Sequence, residues 1–269
     1  MAPAGRTLFR RSWLPAHPER LLLLIHGFAE HSGRYENFGA WFSARGCAVH
    51  AFDHQGHGRS EGVRAHVRRF SDFLDDLDAM LGAVRAEHPD LRPQLVGHSM
   101  GGLILTAFLC ERAPDVASAV TSGAALAISE NLSRGRIFTA RVLSGLAPWL
   151  ALGAGLDPEG LSRDPEVVRA YLEDPLVFRS MTTRLAAELI RAVERTSQGA
   201  ARVRVPILML HGEADPICPA SGTRRFFEGL AVEPRRLQVY PGLRHEIFNE
   251  PEHVRVFEDV LAWVGARSR

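Results

Sequence analysis

The chain has 269 residues, 46% of them hydrophobic, with 32 Lys and Arg against 31 Asp and Glu, for a net charge of +1. That is enough apolar material for a sizeable core, in one large domain with an insertion or in two domains, and the charge balance gives no reason to expect nucleic acid or a strongly charged partner. Three scattered cysteines, Cys47, Cys110 and Cys218, exclude a disulfide framework. Taken in chain order, the opening MAPAGRTLFRRSW lacks the apolar run of a signal peptide, and residues 7–14 read as an antiparallel edge strand. LLLLI at 21–25 is a strand, far too short for the roughly 20 residues that span a bilayer. The expectation is a cytoplasmic protein, with peripheral membrane contact.

A helix-like segment follows at 35–44, then a strand at 48–52. Residues 70–87 repeat apolar side chains at helical spacing (Phe70, Phe73, Leu74, Leu77, Leu81, Val84). Next come a strand at 94–96, a buried helix at 103–110 and a strand at 116–121. Late in the chain, strands at 207–210 and 237–240 are each followed by a helix, at 221–230 and 252–264. This β-then-α order argues for a parallel sheet with helices on both faces. The alternation breaks between 124 and 202, which holds helical patterns and no convincing strand. The expected organisation is therefore a core of 1–123 and 203–269 with a helical cap, 124–202, inserted over the strand ends. Within it, RIFTARVLSGLAPWLALGAGL at 136–156 is apolar enough to shelter an acyl chain or to rest on a membrane surface. Packing of that face on the main domain is the alternative.

Ligands of an open parallel sheet bind beyond the carboxyl ends of its strands. Gly97-His98-Ser99-Met100-Gly101 lies at such an end. G-x-S-x-G between a strand and a helix forms a tight turn that lifts the serine oxygen into the pocket, so Ser99 is the candidate nucleophile; a serine that merely caps the helix is the alternative. A serine needs an adjacent base. Among twelve histidines, His245 in YPGLRHEIFNE follows the last strand and can fold back over Ser99. His98 points elsewhere, and His26 and His211 end buried strands. The histidine needs an acid, which in this chain order lies between serine and histidine. Asp215 in HGEADPICP is favoured, with Glu213 as the other choice; Asp53 comes too early and is expected to hold the loop DHQGHGRS. Oxyanion donors are expected from the main-chain N–H groups of Met100 and Phe28.

Together these stretches resemble the α/β-hydrolase superfamily, and within it the monoacylglycerol lipase and lysophospholipase group. The resemblance rests on HGFAEHSGRY, FDHQGHGRSEG, GHSMGG, HGEADPIC and PGLRHEIFNE, in family order over residues 26–250, and on VVRAYLEDPLV at 167–177. It implies the α/β-hydrolase fold with a lid, the triad Ser99, Asp215 and His245, and the oxyanion positions Phe28 and Met100. It implies that Glu30, His31 and Arg34 lie near the glycerol end of the pocket, either touching substrate or bracing the loop, and that Tyr171 faces the headgroup. Cys218 matches a position where some members carry a cysteine near the active site, open to thiol reagents. The implied activity is hydrolysis of lipid monoesters through an acyl-enzyme, with no metal or organic cofactor. Alternatives keep the triad for a lysophospholipase, a carboxylesterase or an aminopeptidase-like hydrolase, the last needing a cap carboxylate such as Glu159, Glu166 or Glu173. A non-catalytic binding protein of this fold is the reading from another class.

Overall fold

A computed structural model describes residues 5–128 and 133–267. Its strands are β1 (Arg10–Trp13), β2 (Arg20–Ile25), β3 (Cys47–Phe52), β4 (Pro93–His98), β5 (Ser118–Ser122), β6 (Ala151–Gly153), β7 (Ser180–Thr182), β8 (Ile207–Gly212) and β9 (Arg235–Tyr240). Seven form one sheet in the order β1-β3-β2-β4-β5-β8-β9. β1 runs antiparallel to β3, and every other pair in that sheet is parallel. The α-helices are α1 (Glu36–Ser43), α2 (Ser71–Glu87), α3 (Met100–Arg112), α4 (Arg134–Leu146), α5 (Pro165–Glu173), α6 (Thr183–Thr196), α7 (Ala220–Glu228) and α8 (His253–Gly265).

The run LLLLI needs burial on both faces, and the layers supply it. Leu21, Leu23 and Ile25 pack with Phe73 and Leu77 of α2 and Ile104 of α3. Leu22 and Leu24 pack on the other side with Phe38 and Phe42 of α1 and Phe257 and Val260 of α8. The chain leaves β2 for β3 on one side and later returns to β4 on the other. That reversal is the switch point where open sheets form a crevice. Ile25 and Gly97 are paired in register there, so the turns after β2 and β4 leave the sheet side by side.

The stretch between β5 and β8 carries α4, α5 and α6. It also carries a two-stranded antiparallel ribbon of β6 and β7, which corrects the expectation of no strand between 124 and 202. Each ribbon strand has only three residues, too few to show a period of two. The apolar stretch 136–156 holds most of α4 and the strand β6. α4 stops at Leu146, and Pro148 two residues on cannot continue it. The Thr183 hydroxyl donates to Ala147 O at 2.6 Å, occupying a carbonyl at that helix end. Among the described residues, no helix is long and apolar enough to cross a membrane.

Candidate active site

Ser99 joins β4 to α3 with φ 54° and ψ −118°, a sparsely populated backbone region for a residue with a side chain. Its N–H donates to Ser122 O at 2.9 Å, and its carbonyl accepts from Leu103 N at 3.0 Å. The flanking glycines are needed for close approach. A Cβ on Gly101 would sit 2.1 Å from Ile25 O, and one on Gly97 would sit 2.6 Å from Gly101 O. Met100 is the first residue of α3, so its main-chain N–H has no acceptor inside the helix.

His245 lies in the loop between β9 and α8, with Nδ1 2.7 Å from Oδ2 of Asp215. The other carboxylate oxygen, Oδ1, accepts from Ile217 N at 2.8 Å and Cys218 N at 2.9 Å. Burial works against the charged carboxylate. His245, His211 and the Cys218 N–H outweigh it and hold Asp215 ionised, below the ordinary carboxylate range. Burial also pulls His245 down, but Asp215, Glu246 and Glu30 raise its pKa above the usual 6.5. The Nδ1–H of His245 therefore donates to Asp215 and leaves Nε2 to the cavity. Gly123, with φ +53°, passes so close that a Cβ there would lie 3.2 Å from Nδ1 of His245. Glu213, the other acid considered, is exposed; its N–H pairs with Tyr240 O at 2.9 Å.

The turn after β2 passes beside the serine: a Cβ on Gly27 would be 3.1 Å from Ser99 Cβ. Glu30 fixes this turn by accepting from the Gly27 N–H and, at 2.6 Å, from the Tyr35 hydroxyl. Arg34 bridges Glu30 at 3.2 Å and Glu246 at 2.6 and 2.9 Å. Desolvation opposes both carboxylates, and Arg34 still brings Glu246 down to about 2. The guanidinium also lies 4.9 Å from the Tyr171 ring centroid on α5, and His31 Nε2 meets Asp174 Oδ2, at the end of α5, at 2.8 Å. EHSGRY thus ties the turn, the His245 loop and α5 together.

Phe28, Glu30, Arg34, Ser99, Met100, Tyr171 and His245 all line one cavity of about 190 Å³. Asp215 stands behind His245, outside that lining. Cys218 also faces the cavity, against the Ser99 side chain, but burial and Asp215 push its thiol well above the ordinary range. Such a thiol carries little thiolate for reagents to attack. Two groups escaped sequence reasoning. Glu246 is the second carboxylate of Arg34; its place next to His245 was the available signal. His211 sits 3.2 Å from Asp215 Oδ2 and 2.8 Å from Cys218 O through Nε2, two acceptors that place a proton on this nitrogen, while Nδ1 lies 2.8 Å from Thr223 Oγ1. Asp53 accepts from Ser32 N and Arg59 N, each at 2.8 Å, as a loop anchor. His98 contacts Ser122 O at 3.1 Å and Ser122 Oγ at 3.3 Å through Nδ1, and it lines the same cavity beside His245.

Residues 16–252 match the model of the hydrolase family described as serine aminopeptidase S33. The chain belongs to this family. It is 40% identical over 254 residues to a monoacylglycerol lipase of Mycolicibacterium smegmatis, covering 94% of this chain and 90% of that protein. It is 34% identical over 269 residues to the monoglyceride lipase of Homo sapiens, covering 98% and 88%. Its structure superposes on that of a monoacylglycerol lipase of Paleococcus ferrophilus with a TM-score of 0.90 at 35% identity, covering 97% of this chain and all of the other. The fold is the α/β-hydrolase fold, and the chain is a serine hydrolase of the lipase and esterase type.

Proposed function

We propose that the protein hydrolyses the ester bond of monoacylglycerols, releasing a fatty acid and glycerol, with Ser99, His245 and Asp215 as its triad. The observation that carries this reading is the 2.7 Å His245–Asp215 contact, with the imidazole lining the same cavity as a serine in strained backbone geometry. Ser99 Oγ attacks the ester carbonyl as His245 Nε2 takes its proton. The Phe28 and Met100 N–H groups hold the oxyanion. His245 then protonates the departing glycerol oxygen, and activates the water that releases the fatty acid. Asp215 holds the tautomer and stabilises the imidazolium.

Residues 124–202 act as a cap on the core formed by 1–123 and 203–269. The cavity is apolar on its cap side, at Leu156, Leu161, Met181, Leu189 and Val193. Met181 and Leu189 also line a second cavity of about 670 Å³ under α4 and α6, which gives an acyl chain a route away from Ser99. Glycerol sits at the polar end beside Tyr171, where Glu30 and Arg34 brace the wall. An aminopeptidase needs a free carboxylate for the substrate ammonium. Glu159, Glu166 and Glu173 are exposed, and the cavity's Glu30 and Glu246 are both paired with Arg34. One relative, 29% identical, is a phospholipase of Bacillus subtilis. Here the cavity's Arg34 is already shared by two carboxylates, which disfavours a phosphate headgroup.

The test is a chain-length series of monoacylglycerols beside matched lysophospholipids and diacylglycerols, with Ser99→Ala as blank. Preference for monoacylglycerols is expected. Weak turnover of these beside fast turnover of short soluble esters would leave a general carboxylesterase.

A further inference from the structure

Away from the cavity, three side chains with metal-binding atoms converge at the other edge of the sheet. His50 lies in β3 and is fully buried. Glu87 is the last residue of α2, and His88 follows it as the helix cap. Nε2 of His50 and Nε2 of His88 are 3.0 Å apart. A Glu87 carboxylate oxygen lies within 4.8 Å of the ring nitrogens. Ser12, directly across the β1–β3 ladder, contacts His50 Nδ1 at 2.8 Å and so fixes the ring with Nε2 toward α2. This end of α2 leads into the start of β4 at Pro93, whereas Ser99 and His245 lie beyond the carboxyl ends of the strands.

We propose that His50, His88 and Glu87 form a binding site for a divalent first-row transition-metal ion of the zinc type. Two nitrogens 3.0 Å apart and each about 2.05 Å from a shared ion subtend roughly 95° at it, a distorted tetrahedral or square angle. Two imidazoles with a carboxylate suit Zn²⁺, Ni²⁺ or Cu²⁺. Ca²⁺ and Mg²⁺, which take oxygen ligands, do not fit this set. Ser12 supplies the outer hydrogen bond that a metal-bound histidine makes through its second nitrogen. His88 is half-buried and Glu87 exposed, so the ion has an entry path. Two arrangements compete: an N–H···N bond between the rings, and Arg10 on Glu87 at 2.6 Å. The second is a surface ion pair, which is weak and yields to an ion. A bound ion clasps the β1–β3 edge to the end of α2.

Untagged full-length protein, stripped with a chelator, is titrated with Zn²⁺ by calorimetry and followed by thermal unfolding. One ion binds per chain, and Tm rises with Zn²⁺ concentration because only the folded chain presents the site. His88→Ala, at a half-buried position, weakens binding by at least about tenfold and removes the Tm rise. His17→Ala, at an exposed histidine outside the cluster, changes neither, and Mg²⁺ does not substitute. Co²⁺ gives visible absorption bands that disappear in His88→Ala. Zn²⁺ affinity unchanged in both His88→Ala and Glu87→Gln places the ion elsewhere and overturns the proposal, as does the absence of binding at about 100 μM Zn²⁺.

Discussion

Ser99 is held at φ 54° by two glycines that cannot carry a side chain. Gly101→Ala would drive a Cβ to 2.1 Å from the Ile25 carbonyl. Main chain cannot swing aside as a side-chain end can, so we expect destabilisation of about 1–3 kcal/mol or more, read by urea denaturation, together with lost turnover. Asp215→Asn keeps the shape and removes the charge. It should lower kcat by roughly 10⁴, the effect of the wrong histidine tautomer in a serine protease, while Glu213→Gln leaves kcat near wild type; the reverse result would reassign the acid. The pH profile follows from the same pair. In the proposed mechanism His245 acts as base only when neutral, and Asp215 raises its pKa above 6.5. The acid limb of kcat/KM therefore lies above pH 6.5 in the wild type and moves to lower pH, at a lower plateau, in Asp215→Asn. These residues were legible because their chemistry leaves a local pattern: G-x-S-x-G, and an acid and a histidine each just after a strand. The proton-bearing Nε2 of His211 was not, because it depends on Cys218 O and Asp215 meeting across a turn.

β2 and β8, which lead to Phe28 and Asp215, were legible from unbroken apolar runs, since only burial on both faces requires them. Leu22→Ala, in the layer under α1 and α8, should cost about 2–5 kcal/mol, measured as a shift in denaturation midpoint. Less legible was what holds the His245 loop. Glu250 is fully buried and accepts from Arg244 N at 2.6 Å and Arg163 N at 3.0 Å. His245 N and Glu246 N in turn donate to Gly160 O and Leu161 O. The loop is thus stitched to the segment just before α5. Glu250→Gln removes the charge from this hub, and we expect kcat to fall about 10-fold or more, because small displacements of a catalytic group carry large losses. Unchanged kcat would show that the loop keeps its place without the carboxylate. No spacing rule links residues 160–163 with 244–250, so sequence gave only the endpoints. The same limit applies to the apolar stretch 136–156, whose composition does not show that α4 ends at Leu146, before Pro148.

At the scale of the molecule, the cavity beside Ser99 is lined both by the charged Glu30, Arg34 and Glu246 and by the apolar Leu156, Leu161, Leu189 and Val193. The segment over it also turns apolar side chains outward. Phe138, Val142 and Leu146, spaced four residues apart on α4, are 69%, 41% and 79% exposed, and Trp149 just beyond is 61% exposed. A stripe of this kind on the face opposite the core fits a water–lipid boundary. Phe138→Ser with Leu146→Ser should reduce co-sedimentation with phosphatidylcholine vesicles and slow hydrolysis of membrane-dispersed monoacylglycerol, while leaving a soluble ester unaffected. Equal loss on both substrates would assign the stripe to packing instead. Composition marked residues 136–156 as apolar; which side faced out depended on the tertiary fold. Labelling with an alkyl fluorophosphonate, followed by peptide mass spectrometry, tests whether Ser99 is the activated nucleophile. The expected result is a single adduct on Ser99, absent in Ser99→Ala and slowed by orders of magnitude in Asp215→Asn. An adduct on another residue, with Ser99 unmodified in folded protein, would contradict it.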